Sequence, residues 1–156
     1  MNTKKNILIA SDHGGWTLKE EIKKHFTHLM FKDIGPQSGD TSVDYPDFAD
    51  SLCKELITEP QLYDCGILIC GSGQGMAMRA NKYQNIRAAL VWNEESTRLA
   101  REHNDANVLC LGGRLLTTKV AFSCIEIFLK TDFAGGRHSQ RIEKLNGPTE
   151  RFQNDK

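Results

Sequence analysis

Three glycines alternate with polar residues in the stretch CGSGQG, residues 70–75, at the end of the apolar run GILIC. One tight turn needs one or two glycines for its positive φ angles, so three within five residues exceed what a simple strand-to-helix connection requires. Backbone N–H groups at the first turn of a helix form a nest that attracts negative charge. The loop therefore predicts a site where an anion approaches the backbone closely.

The residues after the last glycine argue against two common phosphate-binding loops. A P-loop needs Gly-Lys-Ser/Thr, whereas Gly75 is followed by Met76 and Ala77. The dinucleotide fingerprint G-x-G-x-x-G needs a third glycine where Met76 stands. Glu94 lies near the place of a ribose-binding acid. A dinucleotide site therefore stays open as an alternative, as does a loop that only connects a strand to a helix.

Cys70 differs from the other four cysteines because it stands between a predicted strand and a predicted helix. The dipole and the free N–H groups of a helix N-terminus favour the thiolate, which is the reactive form of cysteine. We assign Cys53, Cys65, Cys110 and Cys124 to the apolar interior. The odd count of five, with no CxxC pair and no zinc-like spacing, predicts free thiols in the reducing cytoplasm.

Polar residues also follow the other predicted strands. Asp12-His13-Gly14-Gly15 follows the first strand, Asn93 to Glu95 follows the fourth, and Gly112-Gly113-Arg114 follows the fifth. Ligands of open parallel sheets bind beyond the carboxyl ends of the strands. We therefore expect these turns to form one ligand-binding edge together with the glycine loop.

A basic pair lies in the C-terminal part of the chain. Arg137 and Arg141 stand four residues apart in a predicted short helix, where both guanidinium groups could bind one anion. His13, His103 and His138 are expected at the ligand edge or beside this pair. For each histidine taken alone, a surface role remains the default.

The order of the predicted elements gives the fold class. Apolar runs predict strands at 6–10, 29–35, 66–70, 86–92 and 108–113. Helical periodicity predicts helices at 18–26, 45–57, about 75–83, 94–104 and 117–131. Five strands that are each followed by a helix indicate a parallel sheet covered on both faces. We predict an α/β protein: a three-layer α/β/α sandwich with a Rossmann-like five-stranded parallel sheet and a C-terminal helical extension.

Length and charge limit the remaining possibilities. We assign residues 1–146 of the 156 to one domain and residues 147–156 to a polar C-terminal tail. Lys plus Arg equals Asp plus Glu at 20 each, and the basic residues are scattered, so no nucleic-acid partner is expected. The apolar run near the start, residues 7–10, is too short for a signal peptide or a membrane span, so no membrane association is expected.

Taken together, five stretches resemble the type B ribose-5-phosphate isomerases, a family that includes the allose-6-phosphate and galactose-6-phosphate isomerases. The stretches are SDHGGWTLK (11–19), DYPDFA (44–49), ILICGSGQGMAMRANK (67–82), REHNDANVLCLGGR (101–114) and GGRHSQR (135–141). They follow the family's order over about residues 5–145. The resemblance implies an aldose–ketose isomerase of pentose phosphate metabolism that interconverts D-ribose 5-phosphate and D-ribulose 5-phosphate without a metal or organic cofactor.

The resemblance also implies roles for individual residues. Cys70 would be the base that moves a proton between C2 and C1 through an enediolate, and His103 would assist opening of the furanose ring, with Asn104 beside it. Further binding positions would be Asp12 for the sugar hydroxyls, His13, Arg137 and Arg141 for the phosphate, Arg114, and Tyr45 near the sugar pocket. The anion hole for the enediolate oxygen would consist of Gly71, Ser72, Gly73, Gln74 and Gly75.

The family pattern implies a homodimer, or a dimer of dimers, with sites at the interface. Some members carry serine at the position of Cys70 and a glutamate base at the position of Met76, so this chain would depend on Cys70. In galactose-6-phosphate isomerases two different subunits share the site, whereas here one chain carries all the groups, which favours a homo-oligomer. An allose-6-phosphate isomerase, a dinucleotide-binding domain and a flavodoxin-like module without catalysis remain as rivals.

Overall fold

Five parallel strands carry the loops of interest and lie in the order β2-β1-β3-β5-β4. The computed structural model describes residues 4–147. The strands are β1 (Asn6–Ser11), β2 (Met30–Gly35), β3 (Cys65–Cys70), β4 (Ala88–Leu90) and β5 (Val108–Gly112). The helices are α1 (Trp16–His25), α2 (Tyr45–Thr58), α3 (Gln74–Ala80), α4 (Glu94–Asn104), α5 (Thr118–Lys130) and α6 (Ser139–Asn146). A 3₁₀ turn, Gly136–His138, precedes α6.

Alternate residues of the strands bury two faces of the sheet, as the predicted three-layer sandwich requires. Ile7 and Ile9 of β1 pack towards α1, α4 and α5, whereas Leu8 and Ala10 pack towards α2 and α3. All six residues of β3 and all five of β5 are buried. Strands buried on both faces are typical of parallel sheets with helices on each side. The predicted fold class is confirmed.

Two predicted elements differ most clearly from the structure. The strand predicted at 86–92 is shorter, because β4 is an outer strand that pairs only with β5 and β5 begins at Val108. The amide of Arg87 therefore donates to the side-chain oxygen of Asn107 at 2.8 Å. The short helix predicted to carry Arg137 and Arg141 is divided, since Arg137 lies in the 3₁₀ turn and Arg141 in α6.

The ends of the helices follow local capping rules. The side chain of Thr117 caps the start of α5 and accepts a hydrogen bond from the amide of Val120 at 3.2 Å. Asn93 and Ser96 form a reciprocal cap at the start of α4.

None of the helices in residues 4–147 combines the length and apolar character needed to span a bilayer. Apart from Gly147, the predicted polar tail falls outside the described residues.

A buried ion pair holds the connection between β2 and α2, residues 36–44, which we call the 36–44 segment. The Lys19 side chain is 0% exposed, and its Nζ lies 2.8 Å from Oδ1 of Asp33 and 2.7 Å from the carbonyl oxygen of Pro36. Asp33 also accepts hydrogen bonds from Lys23 at 2.6 Å and from the amide of Gly35 at 2.8 Å. Burial opposes ionisation of Asp33, yet the Lys19, Lys23 and Gly35 hydrogen bonds together hold its pKa below the usual value.

We expect Asp33→Asn to lower the free energy of unfolding at neutral pH by about 3 kcal/mol, because Lys19 would keep a buried charge without its closest carboxylate. The folded-state pKa of Asp33 is lowered, so its contribution is fully present above about pH 4 and is lost as pH falls through the folded pKa. Urea unfolding at several pH values measures the effect. The difference between the variant and the wild type should shrink below about pH 4, and a difference that grows there would contradict the assignment.

Candidate active site

The carboxyl ends of β1 and β3 lie side by side where the topology reverses. The sheet order places β2 on one side of β1 and β3 on the other, which is the position where open α/β sheets form a ligand crevice. Asp12 follows β1, and its amide donates to the carbonyl of Ile69 in β3 at 3.1 Å. Cys70 ends β3 beside it. The turns after β1 and β3, which the sequence predicts to share one ligand-binding edge, therefore lie side by side.

The Cys70 thiol lies inside the glycine loop. Its Sγ accepts a hydrogen bond from the amide of Gly73 at 3.2 Å, and the residue is only 4% exposed. An N–H donor at this distance can stabilise negative charge on sulfur. Gly73 has φ +79°, and a Cβ there would lie 2.7 Å from Cδ1 of Leu90 and 2.9 Å from the carbonyl carbon of Leu111. Both its conformation and its surroundings thus require glycine.

Arg114 crosses the glycine-rich turns that follow β1 and β3. A Cβ on Gly14 would lie 3.3 Å from Nη2 of Arg114, and one on Gly71 would lie 3.2 Å from Nη1. The amide of Arg114 donates to the Gly71 carbonyl at 3.0 Å, and that of Gly113 donates to the Cys70 carbonyl at 2.8 Å. The exposed Arg114 guanidinium therefore lies next to the loop that holds the thiol.

The remaining predicted residues at this edge are Asp12, His13, Tyr45, Ser72, Gln74 and Gly75. Oδ1 of Asp12 accepts the amide of Gly15 at 2.9 Å. Tyr45 starts α2, and its ring covers Gly75 so closely that a Cβ on that glycine would lie 2.5 Å from the Tyr45 Cζ. The Ser72 hydroxyl accepts the amide of Gln74 at 3.3 Å. The sequence-predicted loop residues and Tyr45 are thus in contact.

A second group of predicted residues forms a cluster around two stacked imidazole rings. The ring centroids of His103 and His138 are 4.3 Å apart with an angle of 16° between the planes. Burial lowers the pKa of His138 below its usual value, and nearby His103, Arg137 and Arg141 lower it further. Both arginines are exposed. We call His103, Asn104, Arg137, His138 and Arg141 the histidine cluster.

The histidine cluster lies at the amino ends of the strands, whereas Cys70 lies at their carboxyl ends. Helix α4 begins after β4 and returns to the amino end of β5, so His103 and Asn104 lie before Val108. The carbonyl of Asn104 accepts Nε of Arg87 at 3.2 Å, and Asn146 of α6 accepts Nη1 of the same arginine at 2.9 Å. The four residue steps along β5 from Val108 to Gly112 span about 13 Å. Within a single chain His103 therefore does not lie at the strand ends that carry Cys70, whereas His138 lies beside Arg137 and Arg141, the second of the two positions expected for it.

Two contacts at these sites were not predicted from the sequence. His138 was expected beside the arginine pair but was given no role, and its ring stacks on His103. The amide of Val43 donates to Nδ1 of His13 at 3.2 Å, across 30 residues of chain, and no local pattern could indicate that bond. Among the described residues, no group of three or more His, Cys, Asp or Glu side chains is placed to hold a metal ion.

Comparison with known proteins gives one consistent result. The family described as Ribose/Galactose Isomerase matches residues 7–145. A relative from Mycoplasma genitalium, named probable ribose-5-phosphate isomerase B, is 46% identical over 142 residues, which cover 90% of this chain and 93% of the relative. The ribose-5-phosphate isomerase B of Escherichia coli is 36% identical over 149 residues, which cover 94% of this chain and 98% of that protein.

Solved structures agree with this result. A ribose 5-phosphate isomerase from Thermotoga maritima has a TM-score of 0.88 and 43% identity, over 92% of this chain and 99% of that one. Ribose-5-phosphate isomerase B from Mycoplasma genitalium, solved with bound ribulose-5-phosphate, has a TM-score of 0.86 and 43% identity, over 93% and 96% of the two chains.

The contact between the two imidazoles can be tested by an NMR titration. We expect His138 to titrate below about pH 6.5, the ordinary histidine value. His103→Gln should raise the pKa of His138 part of the way, because it removes a neighbouring positive charge while burial remains. His28→Gln, outside the cluster, is the control and should leave that pKa unchanged. A His138 pKa that does not rise in His103→Gln would contradict the electrostatic contact.

Proposed function

The chain belongs to the Ribose/Galactose Isomerase family, as its sequence resemblance predicts, and we propose that it interconverts D-ribose 5-phosphate and D-ribulose 5-phosphate. The relatives named for this activity match the chain over nearly its whole length. The observation that carries the proposal within this chain is the Cys70 thiol, which accepts the Gly73 amide at the β1–β3 crevice. A base beside backbone donors is the arrangement that an enediolate intermediate needs.

Cys70 acts as the base in this proposal. The thiolate takes the proton from C2 of the open-chain aldose, the C–H electrons form the C1–C2 double bond, and the carbonyl oxygen at C1 becomes an oxyanion. The hydroxyl proton on O2 then passes to the oxyanion on O1, the thiol returns its proton to C1, and the electrons released at O2 form the C2 carbonyl of the ketose. A positioned base typically contributes about 10²–10⁴ in rate. Met76 carries no carboxylate and is fully buried, so the loop offers Cys70 for this role.

The glycine loop stabilises the enediolate oxygen. Loss of one preorganised donor costs about 10²–10³ in rate in enzymes with such an anion hole. The residues assigned to it are Gly71, Ser72, Gly73, Gln74 and Gly75. The buried carboxylate of Asp12, which is fixed by the Gly15 amide, is assigned to the sugar hydroxyls. The positive charge of Arg114 beside Gly71 favours an anion at this edge.

The phosphate and the ring-opening step need the histidine cluster. The phosphate does not react, so Arg137, Arg141 and His13 contribute affinity and orientation. His103 transfers the proton that opens the furanose ring, with Asn104 beside it. His13 follows β1, whereas the other four residues belong to the opposite edge. One chain therefore cannot place all of them on a single five-carbon substrate.

A two-fold symmetric dimer resolves this separation. In an isologous pair each subunit can bring its histidine cluster to the Cys70 edge of the other subunit, which completes two equivalent sites. Large apolar side chains are exposed near the edge strand β4, as expected of such a contact. Trp92 is 64% exposed and Leu145 is 61% exposed. We therefore propose a homodimer with each site shared between the subunits.

The role of Cys70 is tested by Cys70→Ala, which should abolish isomerisation of ribose 5-phosphate while the variant still binds it. The measurements are turnover, exchange of the C2 proton into D₂O, and calorimetric binding. Cys53→Ala is the matched control, because Cys53 belongs to the same apolar cluster and should keep both turnover and exchange. Substantial turnover in Cys70→Ala would remove the proposed base.

The wild-type assay tests the function itself. Turnover and exchange with ribose 5-phosphate should exceed those with allose 6-phosphate, and activity on the six-carbon sugar alone would replace the proposed substrate. The absence of both activities, together with binding of NAD or FMN, would favour a binding module instead.

The shared site is tested by coexpression of Cys70→Ala and His103→Gln copies with different tags. Each variant alone should be inactive. Random pairing makes half of the dimers mixed, and each mixed dimer regains one of its two sites, so the mixture should recover about a quarter of the wild-type turnover. A mixture that stays inactive although mixed dimers are isolated would place Cys70 and His103 of the same chain in one site.

A further inference from the structure

Three residues that follow β1, namely His13, Trp16 and Lys19, each contact the 36–44 segment. The Lys19 ammonium donates to the Pro36 carbonyl at 2.7 Å. The Trp16 ring packs on Gly39, where a Cβ would lie 3.0 Å from its Cε3. Nδ1 of His13 accepts the Val43 amide at 3.2 Å. The contacts of Lys19 and Trp16 lie away from the proposed substrate site, whereas His13 belongs to that site.

Burial of the charged Lys19 side chain carries a large free-energy cost of desolvation. Its side chain is 0% exposed, and it faces Asp33 at 2.8 Å and Glu20 at 3.9 Å. Replacing a buried ion pair with apolar side chains is often neutral or stabilising, so the pair by itself is weak evidence for a role in stability. Its third partner is the Pro36 carbonyl at the start of the 36–44 segment. The buried Lys19 ammonium therefore acts directly on the position of the 36–44 segment, through its hydrogen bond to Pro36.

The Val43 amide determines which nitrogen of His13 carries the proton. A ring nitrogen that accepts a hydrogen bond is unprotonated, so in the neutral imidazole the proton lies on Nε2. The bond spans 30 residues of chain and exists only while the 36–44 segment keeps its position. His13 can then donate to an anion through Nε2 as a neutral group.

We infer that Lys19 is a positioning residue: it holds Pro36, keeps the Val43 amide on His13 and thereby presents His13 to the substrate phosphate as a neutral Nε2–H donor. The role of the phosphate rests on the proposed function, whereas the tautomer of His13 does not. Lys19 itself touches neither His13 nor the glycine loop in the contacts described, and it acts through the segment.

The first test is the ¹⁵N NMR signature of the His13 ring in Lys19→Met. In the wild type we expect an unprotonated Nδ1 and a protonated Nε2, and in Lys19→Met we expect signals averaged between the two tautomers. Lys23→Met is the matched control, because Lys23 also binds Asp33 but is not bonded to Pro36, and it should keep the wild-type signature. A wild-type signature in folded Lys19→Met would overturn the inference.

The second test separates binding from chemistry. Lys19→Met should raise KM for ribose 5-phosphate roughly fivefold and change kcat by less than about twofold, because the phosphate does not react. In a His13→Gln background, Lys19→Met should raise KM no further, since two residues that act through one contact are not additive. An equal rise in both backgrounds would contradict action through His13.

A second variant covers the case in which Lys19→Met does not fold. Gly39→Val inserts side-chain atoms against Trp16 and displaces the same segment at Gly39, between its contacts with Lys19 and His13. It should produce the same change in the His13 signature and in KM, and unchanged values would overturn the inference. Wild-type protein without isomerase activity but with the expected His13 tautomer would refute the proposed function and leave the positioning of the His13 ring intact.

Discussion

The close approach of three strand ends is the constraint on which the proposed site depends. The Asp12 amide reaches the Ile69 carbonyl, and the Gly113 amide reaches the Cys70 carbonyl, so the turns after β1, β3 and β5 are joined backbone to backbone. A Cβ on Gly112 would lie 2.8 Å from the carbonyl oxygen of Ser72, which leaves no room for a side chain. The glycines therefore do more than form turns, because they let three loops pack tightly enough to surround one thiol.

The distribution of charge is consistent with the proposed sugar-phosphate substrate, although the chain has no net charge. Near Cys70 the attraction for anions comes from backbone N–H groups and from Arg114, whose guanidinium lies against Gly71. The exposed Arg137 and Arg141 belong to the opposite edge, where they also disfavour protonation of His138. Two separate concentrations of positive charge suit a substrate with two negative regions, a stable phosphate and a transient enediolate.

The 36–44 segment shows how a buried charge can serve the geometry of a site. Lys19 and Asp33 lie away from the glycine loop, yet they hold the segment that leads into Tyr45 and that bonds to His13. Apolar contacts alone would tolerate small shifts of such a segment, whereas a charged hydrogen bond to one carbonyl oxygen restricts both distance and direction.

The sequence by itself determined the fold class, the glycine loop and the position of Cys70 within it, because hydrophobic periodicity and glycine spacing are local properties of the chain. The extent of β4 was predicted less well, since its length depends on where its neighbour β5 begins. The bond between Val43 and His13 and the burial of Lys19 depend on residues distant in the chain. Only the tertiary structure decided that the histidine cluster and Cys70 lie at opposite ends of the strands. The reason is that α4 runs antiparallel to β4 and β5, so His103 at its end lies near the amino end of β5, away from the carboxyl ends where the thiol lies.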